Sequence, residues 1–96
     1  MSEQVAEVLR KTLAAFGPNG EKWRQHQERD PQGRMCSYGA IDFAAGENSP
    51  ARRQATDLVR EVLGSPMLAD WNDNGKRTFA EVKELFEKAI AKAEAQ

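Results

Sequence analysis

The sequence predicts a mainly α protein: a compact four-helix single domain spanning residues 1–96, with an irregular loop or short hairpin between the first two helices. Three observations carry this reading. Four segments repeat apolar residues at helical spacing, start and stop signals bracket them, and the stretch from Asn19 to Arg34 has no apolar period at all.

Val5, Val8, Leu9, Leu13 and Phe16 recur on one face. Ser2 offers an N-cap with Glu3 in the first turn, and Gly17-Pro18 a stop, so the first helix is expected over residues 3–16. Beyond it Trp23 stands alone among polar residues, and Asp30-Pro31-Gln32-Gly33 is turn chemistry, with Pro pre-set for the second turn position. The segment reads as a loop, or as a hairpin closing with Arg34 to Cys36.

Residues 35–45 hold one ionisable carboxylate, Asp42, beside Gly39, Ala40, Ile41, Phe43, Ala44 and Ala45. A helix apolar on nearly all sides belongs in the middle of a bundle, where small residues let neighbours approach, so a central helix ended by Gly46 is expected. Ser49-Pro50 starts the next helix, and Ala51, Ala55, Leu58, Val59, Val62 and Leu63 form one stripe up to Gly64, giving 50–63. Ser65-Pro66 repeats the start signal for a short turn of helix over 66–71. Thr78 with Glu81 three residues later is a capping box; Phe79, Val82, Leu85, Phe86, Ala89, Ile90 and Ala93 then give a helix over 78–92 that frays after Lys92.

The 40% apolar and 30% charged fractions fit a globular chain, and 14 Lys and Arg against 15 Asp and Glu leave a net charge of −1. That balance gives no general attraction to nucleic acid or anionic lipid, and neither partner is expected. Arg52-Arg53 and Lys76-Arg77 are isolated basic pairs with acids close by, which reads as a solvated mixed-charge face. The single Cys36 excludes an internal disulfide, and four Cys or His in metal spacing are lacking, so no structural zinc is expected. No apolar run approaches the roughly 20 residues that span a bilayer, and the start lacks the features of a signal peptide, so a cytoplasmic location is expected.

Trp23, Gly33-Arg34-x-Cys36-x-x-Gly39-Ala40-Ile41, Trp71-Asn72-Asp73 and Arg77-Thr78-x-x-Glu81-Val82, in that order, resemble the layout of a family of small proteins of actinobacteria and phages, a domain of unknown function. The resemblance covers nearly the whole chain, and the Trp-Asn-Asp to Arg-Thr-x-x-Glu-Val block is its most specific part. It implies a fold and a phage or bacterial origin, with no activity attached. Tyr38 departs from it where a small apolar residue is usual, as does Asn74-Gly75-Lys76 where an Ala-Pro-Gly type of turn is common.

Asp70-x-Asn72-x-Asn74-Gly75 with Glu81 satisfies the EF-hand loop expression, so Asp70, Asn72, Asn74 and Glu81 are alternative calcium ligands. Against this, Arg77 sits where an apolar residue is needed, there is no second loop, and the resemblance does not require an acid at position 70. Turn bonds and the capping box explain the same residues. Cys36 and His26, the one histidine, are the minimum for a thiol nucleophile and its base, yet nothing in the sequence places them together; a buried thiol is the ordinary outcome. Trp71 is expected to plug one end of the bundle, and Trp23 either anchors its loop or faces a partner. The function expected is that of a non-enzymatic accessory protein, phage-encoded or bacterial, needing no cofactor and binding another protein through Trp23, Arg24, Trp71 and Arg77. The alternative is a small-ligand or calcium-binding module using the 70–81 loop.

Overall fold

The computed structural model describes residues 2–46 and 49–96. Among these, helices α1 (Ser2–Ala15), α2 (Ser37–Ala45), α3 (Pro50–Leu63), α4 (Leu68–Asn72) and α5 (Phe79–Ala95) follow one another, and four of the five are longer than two turns. They pack into a compact globule with a Cα radius of gyration of 12.0 Å. Among the described residues no helix is long and apolar enough to cross a membrane.

The start and stop chemistry of α3 and α5 accounts for their bounds. The Ser49 hydroxyl accepts from the Arg52 N–H, Pro50 occupies the first turn, and Gly64 closes α3 at φ 82°, its N–H reaching the Arg60 and Glu61 carbonyls. At α5 the Thr78 hydroxyl accepts from the Glu81 N–H (3.4 Å) while the Glu81 carboxylate accepts from the Thr78 N–H (2.9 Å). Two donors that the helix cannot pair are thereby satisfied. α5 runs to Ala95 rather than fraying after Lys92, because Ala93 is fully buried. α1 includes Ser2 as its first residue; the expected cap falls on a side chain outside the described atoms.

α1 is the helix around which the others gather, packing against α5, α2 and α3. Phe16 meets Phe79 and Phe86 edge-on, with ring centroids 5.7 Å apart in each pair, and Leu9, Ile41, Val59, Leu68, Val82 and Phe86 complete the dry centre.

α2 corrects two expectations. It begins at Ser37, not Met35, because Met35 is held extended: its N–H donates to the Lys22 carbonyl (2.7 Å) and its carbonyl accepts from the Arg24 N–H (3.0 Å). The Met35 backbone bridges to Trp23 and Arg29 as isolated pairs, with no strand among the described residues. α2 is also not buried all round. Ser37, Gly39, Ala40, Ile41 and Asp42 face inward, Asp42 pairs with Arg52, and Phe43 is left 61% exposed.

The polypeptide between α1 and α2 wraps over that helix. Its turn is the expected one: the Gly33 N–H donates to the Asp30 carbonyl (2.9 Å), and the Asp30 carboxylate accepts from the Gln32 and Arg34 N–H groups. A Cβ on Gly39 would lie 1.9 Å from the Glu28 carbonyl oxygen, so glycine here admits the backbone of the wrapping segment rather than a neighbouring helix.

Candidate functional site

Asn72 ends α4 with a side chain only 1% exposed. A carboxamide removed from water must find partners for both its ends, and these come from distant parts of the chain. Its oxygen accepts from the Trp23 indole N–H (2.9 Å), the Ser37 N–H (3.1 Å) and the Ser37 hydroxyl (2.7 Å). Its nitrogen donates to the Arg24 carbonyl (3.2 Å) and the Asp73 carboxylate (3.0 Å). The Gln25 side chain adds bonds to the carbonyls of Asn72 (2.9 Å) and Asn74 (2.6 Å). Residues 23–25 are thus fastened to residues 72–74. Among the described residues no buried side-chain nitrogen or oxygen lacks a hydrogen-bond partner.

The fastening continues into a cleft. The Asp73 carboxylate accepts from the His26 N–H (2.8 Å), and His26 takes the left-handed conformation, φ 72°, alone among the described non-glycine residues. Its imidazole is exposed, with Nδ1 3.8 Å from the second Asp73 oxygen. Next to it opens a cavity of about 430 Å³ lined by His26, Glu28, Cys36, Tyr38, Arg52 and Asp73. The fold therefore brings His26 and Cys36 to one cleft, which their separation in sequence did not indicate. Burial pushes the Cys36 thiol pKa up, and the Asp73 and Glu28 carboxylates push the same way. The Gly39 and Tyr38 N–H groups at the start of α2 pull against them without prevailing. The thiol stays protonated at neutral pH, which is poor equipment for nucleophilic attack.

The wrapping segment also borders a more apolar groove of about 510 Å³, lined by Ala15, Lys22, Arg29, Asp30, Met35 and Phe43. The Arg29 guanidinium stands 5.7 Å over the exposed Phe43 ring. The Asp30 side chain is 1% exposed and bonded to Arg24 (3.0 Å) and Arg34 (2.6 Å). Burial works to raise its pKa, but the Arg34 N–H and the two guanidinium groups outweigh it and hold the carboxyl at about 2. Sequence reasoning placed Phe43 in the core. A short apolar helix under a polar segment has no polar face to mark which residue is left outside.

A family model described as a family of unknown function, DUF6197, matches residues 1–92. The chain belongs to that family. No curated protein and no solved structure matches it.

In this DUF6197 chain the four residues expected to meet a partner are engaged within the fold. Trp23 is half-buried, its ring centroid 6.3 Å from that of Phe79 and its N–H on Asn72. Arg24 is committed to Asp30 and to the Gln25 carbonyl (2.8 Å). The Arg77 guanidinium covers the half-buried Trp71 ring at 4.1 Å, donates to the Trp71 carbonyl (2.9 Å) and pairs with Glu81 (2.8 Å). The alternative calcium ligands do not converge either. Asp70 is exposed, Asn72 points inward, the Asn74 side chain accepts from the Lys76 N–H (2.9 Å), and Glu81 serves the capping box. Among the described residues no three of His, Cys, Asp or Glu are grouped to hold a metal ion.

Proposed function

We propose that the chain is a non-enzymatic accessory protein, bacterial or phage-encoded, that works in the cytoplasm by binding another protein. The observation that carries this is Phe43, 61% exposed at the lip of an apolar groove. A large aromatic left in water beside concave apolar surface is the kind of anchor that protein interfaces use. The buried, protonated thiol of Cys36 favours binding over catalysis. With Trp23 and Trp71 engaged internally, the binding surface moves from the expected loop to α2 and the segment that wraps it.

The test is affinity capture from bacterial lysate on equal loads of the native protein and Phe43→Ser. At least one protein should be retained by the native chain and lost by about tenfold on the variant, a difference of about 1.4 kcal/mol. Identical captures on both would sink the reading.

A second reading, a small-ligand module, is favoured by the cleft in which His26, Cys36 and Asp73 meet. It moves there from the 70–81 loop because Asn72 is committed to Trp23 and Ser37. Metabolites screened by thermal melting should include one that raises the midpoint, since ligand bound to the folded state stabilises it by mass action. Melting in calcium and in chelator should coincide.

A further inference from the structure

Resting on the protein-binding reading, we infer that the Phe43 groove takes an acidic, apolar segment of a partner protein, with a large apolar side chain next to an Asp or Glu. The floor supplies the apolar half of this complementarity: Ala15, the nearly buried Met35 and the face of Phe43. The rim supplies the charge. Lys22 and Arg29 border the groove, and among the described residues neither has a carboxylate within ion-pair distance. Lys22 spends one N–H on the Gln32 carbonyl (2.9 Å), and Arg29 rests over the Phe43 ring, so both retain donors facing solvent.

The one carboxylate in the wall does not oppose an incoming acid. Asp30 is buried and already carries two guanidinium partners. Of the charged residues that line the groove, Lys22 and Arg29 stand against Asp30 alone, and the Asp30 charge is met by Arg24 and Arg34, in a chain whose net charge is −1. The groove is therefore a local positive field on a slightly acidic protein, which steers and orients a segment of opposite sign. Two rim cations beside an apolar floor suit one carboxylate and one apolar side chain. A nucleic-acid backbone calls instead for a longer row of cations.

The experiment pans a display library of random peptides on the full chain, followed by binding measurements on synthetic versions of the winners. Enriched peptides should carry Asp or Glu beside Leu, Ile, Met or Phe. Phe43→Ser and, separately, Arg29→Glu should each weaken them by about tenfold. Raising salt to about 0.5 M should weaken them as well. Both residues are exposed, so the variants should melt like the native protein; a distant charge reversal, Glu87→Lys, should bind normally. No enrichment, winners without acids, or binding indifferent to Arg29→Glu would overturn the inference. So would dimers or anionic-vesicle binding abolished by Phe43→Ser, because the occupant would then be a second copy or a lipid surface. If lysate capture depends on Phe43 while the peptides carry no acid, the protein-binding reading stands and the partner chemistry falls. If neither depends on Phe43, both fall.

Discussion

The indole N–H of Trp23 lies 2.9 Å from the carboxamide oxygen of Asn72, 49 positions along the chain, and shares that oxygen with both donors of Ser37. Removing the acceptor should therefore cost more than removing one donor. Asn72→Ala leaves several buried groups unpaired, at about 1–3 kcal/mol each, and should lose at least about 3 kcal/mol in urea unfolding. Trp23→Phe removes one bond while Ser37 keeps the oxygen occupied, and should lose about 1–2 kcal/mol. Equal losses would show that the oxygen is not the shared centre.

Gly39→Ala should go against the usual sign. In an open helix the change gains about 1 kcal/mol. Here the new methyl would meet the Glu28 carbonyl at 1.9 Å, so the wrapping segment must move, at an expected net loss of about 1–2 kcal/mol. Faster amide exchange at the bonded N–H groups of Asp30 and Met35 would locate the damage; unchanged exchange there would argue against this contact.

Cys36 should resist alkylation at neutral pH in the folded protein and react quickly in denaturant, with rates differing by about tenfold or more. Its raised pKa has a cause, burial, that unfolding removes. Fast native labelling would return the His26–Cys36 cleft to consideration as a reactive site.

Stability should fall in acid through Asp30. Its carboxyl is depressed from 3.8 to about 2, so the folded state favours the charged form. The stabilisation this brings is complete above the ordinary value and lost as pH falls from about 4 through 2. Asp30→Asn should be less stable near neutral pH and show a flatter decline in that window. Some slope should survive, because backbone N–H groups also lower Glu81 and Glu21. An unaltered slope in unfolding titrations would remove Asp30 from the account.

Much of this architecture was legible in the chain because it is written locally. Ser49-Pro50 and Gly64 bracket α3 at the expected residues, and Thr78 with Glu81 starts α5 by hydrogen bonds three positions apart. The candidate site was not legible, for the opposite reason. Gln25 reaches the carbonyls of Asn72 and Asn74, and Asp73 reaches the His26 N–H. Such bonds leave no period in the sequence. The same holds for Phe43, whose exposure depends on where the wrapping segment stops covering α2. The asparagines and aspartate of residues 72–74 did announce side-chain to backbone bonding, but not that its partners come from near Trp23.

The aromatic centre has a consequence for the order of events during synthesis. Phe16, which leaves the ribosome about 60 residues before α5, is enclosed by Phe79 and Phe86, and Arg10 pairs with Glu94 at 2.6 Å. Until α5 emerges, α1 has an uncovered apolar face and only its partners α2 and α3 to shelter it. Closure of this core thus waits for α5, and nascent chains stalled before Phe79 should be the ones that chaperones hold and proteases cut.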